Sequence, residues 1–430
     1  MRESGRGRAQ PPSDRKRGEA GRGGSRAAPE AVGPPRRVRS RAERLRAERG
    51  RRRRRLVSGL ATAVLVVVVV AAVFIGSKLW HMFGSQNDYR GSGKQDVVIQ
   101  IHAGDSTTAI GETLHEQGVV RTVRAFVDAA HGNAAISSIQ PGYYRMRTEI
   151  PASSAVQRLA DPNSRVGRLV IPEGRQLDDT TDVKTNAVTP GIFTLISRAT
   201  CVDLDGDKHC VAVNDLRAAA ASTPPALLAV PGWAVDPVNR MGSDHRRIEG
   251  LIAPGTFNVN PSASPQKILS TLISSSAVDY VKSGLVDTAN TMNMSSYDVL
   301  VVASLVQREA KPQDFPKVAQ VIYNRLAEHR TLEFDSTVNY PLDRREVATT
   351  DADRAQPTAW NTYLSEGLPE TPICSPGTDA LSSAEHPEPG DWLYFVTIDA
   401  QGTTLFTRDY QQHLANIEQA QHNGVLDSAR

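Results

Sequence analysis

The spacing of apolar residues predicts helices where it keeps a period near 3.6 and strands where it alternates, and its sharpest helical case is residues 295–310, SSYDVLVVASLVQREA. At about 100° per residue, Leu305, Val302 and Asp298 fall on the same side as Glu309, with Val306 close by, while Gln307 and Arg308 point elsewhere. Ser295 with Asp298 fits a capping box at the start, and Pro312 stops the helix by Lys311. A carboxyl group that continues an apolar stripe loses water on folding, which disfavours its charged form and raises its pKa toward the range useful to a proton donor. Glu309 is therefore the first candidate for catalysis.

Other stretches define the organisation. Residues 56–75, LVSGLATAVLVVVVVAAVFI, are uncharged, and at 1.5 Å rise about 20 residues span a hydrocarbon core of roughly 30 Å. A signal peptide would have a shorter apolar region and a small-residue cleavage site, whereas Lys78, Leu79 and Trp80 follow here, so a retained anchor over 56–76 is expected. The Gly/Ser/polar stretch 77–95 reads as a linker. From Val97 an alternating strand, a Ser- or Thr-capped helix over 106–117, a second helix over 122–130, a strand at PGYYRM and a short helix over 153–160 suit a compact ligand-binding module over 96–165. RLVIPEG opens the remainder, 166–430, in which 175–246 reads as an elaboration. Ser264-Pro265 starts a helix toward Ser283, a further helix covers about 315–328, and WLYFVTI, TTLFT and a helix from about Arg408 close the chain.

The charge is uneven. Residues 1–55 hold 20 Lys or Arg against 6 Asp or Glu, so the net charge of +3 conceals a remainder with 30 basic and 41 acidic side chains. By the positive-inside rule the tail stays in the cytoplasm and the C-terminal bulk lies outside the membrane. Arg/Gly/Pro-rich sequence of this kind cannot bury a core and is expected to be disordered. Its charge suits anionic lipid or RNA, but a topology signal with no specific partner is the simpler reading, and no nucleic-acid partner is expected.

Several chemistries lack their motifs: there is no His-Glu-x-x-His, no glycine-rich phosphate loop, no Gly-x-Ser-x-Gly elbow and no clustered cysteines. Ser264-x-x-Lys267 has the spacing of penicillin-binding nucleophiles without their partner elements, and Ser264 is better explained as a helix cap. Cys201 and Cys210 flank VDLDGDKH and could pair in an oxidising exterior, leaving Cys374 over; the alternating Asp203, Asp205 and Asp207 lack an EF-hand loop's Gly and Glu spacing, so a solvated turn is expected. His386 has no partners for a metal, and neither metal nor cofactor is expected.

Seven blocks, IPEG, EGLIAPGTF, ASLVQREA, AQVIYNRL, FDSTVNY, NTYLSEGLP and ICSPGTDAL, occur in an order and spacing that resembles the bacterial endolytic murein transglycosylases, the MltG or YceG-like family, from about Asp96 to the C-terminus. The resemblance implies an α+β protein with a single transmembrane helix, a LysM-like module and a mixed α+β lytic transglycosylase domain. It implies cleavage of the β-1,4 bond between N-acetylmuramic acid and N-acetylglucosamine in nascent strands, leaving 1,6-anhydro ends without consuming water; a muramidase that uses water, or a non-catalytic glycan-binding scaffold of the cell-wall machinery, is the alternative. Peptidoglycan strands, the inner membrane and peptidoglycan synthases are the implied partners, and a single-pass type II protein of the cell membrane the implied location.

The family's catalytic Glu falls on Glu309; where the family often has a further Glu two residues earlier this chain has Gln307, and Ser336 stands where Pro is usual. The resemblance places Asp335, Asn361, Tyr363 and Glu249 at the substrate. Each has a plainer alternative: Asp335 as a turn cap, Glu249 as a partner of Arg246 or Arg247, and Trp360 and Tyr363 as core aromatics rather than stacking surfaces. The plain alternative for Glu309 is a surface carboxylate paired with a Lys or Arg.

Overall fold

The computed structural model describes residues 63–76, 88–345 and 349–425. The chain divides into two units, 1–80 and 81–430. In the first, residues 63–76 form a helix with exposed side chains, Val64 to Ile75 among them. Among the described residues no helix is long and apolar enough to cross a membrane. The rest of the 56–76 stretch, the basic tail and most of the 77–95 linker fall outside the described residues.

In the second unit, β1 (Asp96–Ile101), α1 (Thr107–Glu116), α2 (Val123–Ala130), β2 (Gly142–Arg147), α3 (Ala152–Ala160) and β3 (Arg165–Val166) follow in order. The strands form an antiparallel sheet in the order β1-β2-β3, with Asp96 opposite Arg147 and Ile101 opposite Gly142. Ser106 and Thr122 cap the two helices by accepting from the Ala109 and Ala125 N–H groups, the service that short hydroxyl side chains perform at helix starts. Leu114, Phe126, Val156 and Leu159 pack on Ile99, Tyr144 and Met146 in a hydrophobic cluster of their own. The two-residue β3 is too short to alternate and leaves no sequence signal.

A larger cluster begins after Gly167. Here β4 (Arg168–Ile171) is followed by α4 (Ile192–Ala199), α5 (Val213–Ser222), β5 (Gly255–Asn258), α6 (Pro265–Ser283), α7 (Leu285–Thr291), α8 (Ser296–Glu309), α9 (Phe315–Ala327), α10 (Asp335–Asn339), α11 (Thr378–Glu385), β6 (Tyr394–Thr397), β7 (Thr404–Thr407) and α12 (Tyr410–His422). Strands β4 and β5 pair antiparallel, as do β6 and β7, so every sheet is small and the helices carry the core. Ser264 caps α6 by accepting from Lys267 N–H, with Pro265 in the first turn.

The central element is α8. Val299 to Val306 are all buried, so it is apolar all round where the sequence suggested a single stripe. It is sandwiched by α9, α11 and the extended segment before α11. Ile373 N–H donates to Ser304 Oγ at 3.0 Å and the buried Cys374 thiol to Ser304 O at 3.4 Å, which explains a serine in the middle of an apolar helix. Of the expected capping box only one half is formed, Ser295 Oγ accepting from Asp298 N–H at 3.0 Å.

The elaboration holds one well-defined feature. Cys201 and Cys210 are disulfide-bonded at the base of a hairpin, Val202–Leu204 with Asp207–His209, whose turn is exposed. Its tip docks on β1: Asp96 N–H donates to the Asp205 carboxylate at 3.0 Å and Asp205 N–H to that of Asp96 at 3.1 Å. Arg145 adds a bond to Asp203 O at 2.9 Å.

Gly167 joins the two cores at φ +70°, a left-handed conformation, with the Val259 carbonyl packed where a Cβ would stand and Val259 N–H bonded to its own carbonyl at 2.8 Å. Backbone on both sides leaves no flexible group to yield. Gly167→Ala is expected to cost more than about 2 kcal/mol, read as a lowered melting temperature of the purified chain; an unchanged temperature would show that this junction is not rigid.

Candidate active site

Glu309 is the last residue of α8, after which Ala310 leaves the helix in an extended conformation. The residue as a whole is half-buried, and its carboxyl group has lost its water. Burial pushes its pKa up from an ordinary 4.5 to about 7, and the charge of Asp335 adds to this, against the Ser336 hydroxyl and N–H and the Arg308 charge, which favour the carboxylate. The helix C-terminus carries partial negative charge and acts in the same direction as burial. The Ser336 hydroxyl, though close, makes no hydrogen bond of standard geometry. Among the described residues Glu309 has no salt bridge, which sets aside the plain reading of a paired surface carboxylate.

Opposite Glu309, α10 begins at Asp335, and this carboxylate is a hub. It accepts from Tyr363 Oη at 2.8 Å, from the Thr349 hydroxyl and from Arg354 Nε and Nη2 at 3.1–3.2 Å. The Arg354 guanidinium also lies 5.0 Å from the Tyr363 ring centroid. Burial, then the Asp335 charge, pushes the Tyr363 hydroxyl well above its ordinary range, so Tyr363 stays a proton-bearing donor. Asp335 and Tyr363 thus stand together beside Glu309. Thr349 and Arg354 complete the hub; sequence reasoning missed both, since neither lies in a periodic or motif-bearing stretch.

Asn361 is placed differently from the expected substrate amide. It is 3% exposed, its Nδ2 donates to Arg354 O at 2.8 Å and Gln356 O at 2.7 Å, and its Oδ1 accepts from Tyr363 N–H at 2.9 Å. An amide so fully bonded holds the loop that carries Arg354 and Tyr363. Trp360 is core: its Nε1 donates to Thr371 Oγ1 at 2.7 Å, and its ring stands edge-on to Tyr340 at 5.1 Å.

Glu249 needs a correction. At 1% exposure it reaches neither substrate nor the expected Arg246 and Arg247. Its Oε2 accepts from Leu177 N–H at 3.0 Å and Tyr340 Oη at 2.8 Å, and burial first, despite those bonds, raises its pKa to about 7. Arg246 pairs with Asp343 at 2.9 Å, and Arg247 Nε donates to the Ala220 carbonyl at 2.7 Å. Glu249 therefore ties α10, through Tyr340 at its end, to the segment after β4.

On the other flank of the α8 terminus, Gln307 Oε1 accepts from Gly377 N–H at 2.7 Å, and Gly174 N–H donates to Ser375 O at 2.8 Å. Gln307 is thus a brace, a task an ionised Glu would also perform. Among the described residues no group of His, Cys, Asp and Glu is arranged to hold a metal.

A single carboxylic acid held near neutrality at a helix end, beside a charged and fully bonded hub, is the arrangement of an acid–base enzyme of mixed α and β structure. The chain belongs to the YceG-like family, whose model matches residues 99–419. An endolytic murein transglycosylase of Bacillus subtilis (strain 168) is 26% identical over 325 residues, covering 74% of this chain and 83% of that protein. One of Streptococcus pneumoniae serotype 2 is 26% identical over 342 residues, covering 75% of this chain but 58% of the relative, so the chain spans little more than half of that longer protein. A crystal structure of a YceG-like protein from Listeria monocytogenes is 24% identical, with a TM-score of 0.48, and covers 75% of this chain and 99% of that one.

The raised affinity of Glu309 for a proton has a stability consequence. Below pH about 4.5 the carboxyl is protonated folded and unfolded; between about 4.5 and 7 only the unfolded chain ionises, so the folded state loses ground, and above about 7 the full cost is present. Glu309→Gln removes that cost. The variant should match wild type near pH 4 and exceed it at pH 8 by on the order of 1–3 kcal/mol in chemical denaturation. A variant less stable than wild type at pH 8 would mark Glu309 as a structural residue.

Proposed function

We propose that this protein is an endolytic peptidoglycan lytic transglycosylase, cleaving the β-1,4 bond between N-acetylmuramic acid and N-acetylglucosamine with Glu309 as its one acid–base group. The observation that carries the reading is the half-buried, unpaired Glu309 carboxyl with a pKa raised to about 7. Both curated relatives carry the name of this activity.

The chemistry needs one proton to travel in two directions. Protonated Glu309 delivers it to the glycosidic oxygen as the bond from C1 breaks; the resulting carboxylate then takes the proton of the C6 hydroxyl as that oxygen closes onto C1. A group whose pKa lies near the working pH serves both steps without a large penalty in either. A water-using glycosidase needs a second free carboxylate. Asp335, the nearest candidate, is committed to Arg354, Tyr363 and Thr349, which favours the intramolecular route; its charge suits the oxocarbenium character of the transition state. No cofactor enters the scheme.

We place the enzyme in the bacterial cell membrane as a single-pass type II protein, with a basic cytoplasmic tail, a LysM-like module over 96–165 and the catalytic domain outside. Supporting this are the exposed apolar side chains of residues 63–76 within the uncharged 56–75 run, the separate core of the small module, and a disulfide suited to an oxidising exterior. Such an anchor would hold the cleft near synthases still extending their strands, so the enzyme would set strand length.

Mass spectrometry of products from purified glycan tests the reaction. Wild type should release fragments lighter by one water than hydrolytic ones, and Glu309→Gln should lose turnover by at least about 10²–10⁴-fold. Fragments ending in a reducing sugar would mean hydrolysis, and full activity of the variant would remove Glu309 from the mechanism.

A further inference from the structure

Three of the sequence blocks, separated by about 80 and 120 residues, converge on one groove on the Gln307 flank of the α8 terminus. Ile171, Pro172 and Glu173 come from the first, Ala253, Pro254 and Gly255 from the second, and Pro376, Gly377 and Thr378 from the third. The groove has a volume of about 530 Å³, within the range of small-ligand sites and large enough for one or two sugar rings. Glu309 is not part of its wall. The connection is mechanical: Gly377, in that wall, donates its N–H to Gln307, two residues before Glu309, and Gly174 lies against the Gln307 side chain.

Within this wall Glu173 is the charged residue that the three blocks contribute, and it is exposed. Among the described residues it has no salt bridge and no side-chain hydrogen bond. Its carboxylate lies so close over Gly377 that a Cβ there would overlap it. The backbone at Gly377 does not demand glycine, since its φ of −75° is open to any residue. What the glycine leaves room for is the Glu173 carboxylate, which lines the groove. The other acid of the lining, Asp279, already has Lys282 at 3.6 Å.

We propose that this groove is a saccharide subsite flanking the bond-cleaving position, in which Glu173 accepts hydrogen bonds from sugar hydroxyl or N-acetyl N–H groups. The inference rests on the glycan-cleaving reading of Glu309 and extends it: the strand crosses the α8 terminus, with Asp335 and Tyr363 on one flank and this groove on the other. Ile171, Pro172, Pro254 and Leu381 supply apolar walls for the faces of a sugar ring, and the carboxylate supplies the oriented acceptor. Glu173 touches substrate but exchanges no proton with it, so it contributes binding that is uniform between ground and transition states.

Calorimetry with stem-free glycan oligosaccharides tests this in the Glu309→Gln background, where nothing is cleaved. Adding Glu173→Ala should weaken binding about ten- to a hundredfold, the loss of one or two hydrogen bonds to a charged acceptor. Gly377→Ala, which should displace the same carboxylate with a melting temperature near wild type, should weaken it in parallel. With Glu309 intact, Glu173→Ala should raise KM with kcat held within about twofold, and Glu173→Gln, which keeps an acceptor, should recover part of the loss. Unchanged affinity in both variants overturns the proposal, as does a fall in kcat at unaltered KM. Weakening confined to strands that still carry peptide stems also overturns it, since it would make the occupant a peptide amine. Failure of the parent reading looks different: oligosaccharides would bind in a Glu173-dependent manner while wild type released no cleaved product.

Discussion

The packing of α8 strips water from one carboxyl group, and the proposed chemistry depends on that loss. The helix α8 is buried on every side from Val299 to Val306, and Glu309, the residue that closes it, stands half-buried at the boundary between core and surface. Its desolvation is a by-product of the packing that gives the domain its core. Half-burial matters as much as burial: a fully enclosed acid such as Glu249 has a similarly raised pKa and no access to a substrate. Glu249 is 1% exposed, whereas Glu309 is half-buried, and on the proposed reading that difference in enclosure separates the two glutamates.

Around that group the fold divides labour between two flanks. On one, Asp335 gathers Arg354, Thr349 and Tyr363, and the buried Asn361 fixes the loop from which two of these come. On the other, Gln307 braces Gly377 and with it the segment that runs along α8. The two flanks are tied to the same helix end, which Glu309 closes. Glu249, through Tyr340, keeps the first flank attached to the segment that leads from β4, so a residue remote from solvent still ties the flank in place.

Much of this was legible in the chain. The apolar spacing of 295–310 located the helix and its terminal acid, and Ser106, Thr122 and Ser264 marked helix starts that the structure keeps. What the sequence hid has physical reasons. An all-round buried helix leaves no moment to separate it from a one-sided one, so the stripe was read where a full core element stands. The helix α4 puts Ile192, Phe193 and Ile196 on one buried face, but its eight residues make only about two turns, too few for the period to stand out from the irregular stretch around it. Whether a polar residue is buried depends on partners that periodicity does not mark: Glu249 meets Tyr340, 91 residues away in the chain, and Asn361 is enclosed by Arg354 and Gln356 backbone in an irregular loop only seven and five residues before it. The same holds for Glu173 and Gly377, about two hundred residues apart and in contact.

The proposed chemistry requires Glu309 to hold its proton near neutrality in the folded protein. Infrared difference spectroscopy between wild type and Glu309→Gln, followed through a pH titration, reads that carboxyl directly. A protonated-carboxyl band that belongs to Glu309 and disappears with a midpoint near pH 7 is the predicted result. A midpoint near 4.5, the value of a carboxyl group in water, would mean that the side chain is hydrated and ionised at working pH, and the mechanism would lose its proton donor.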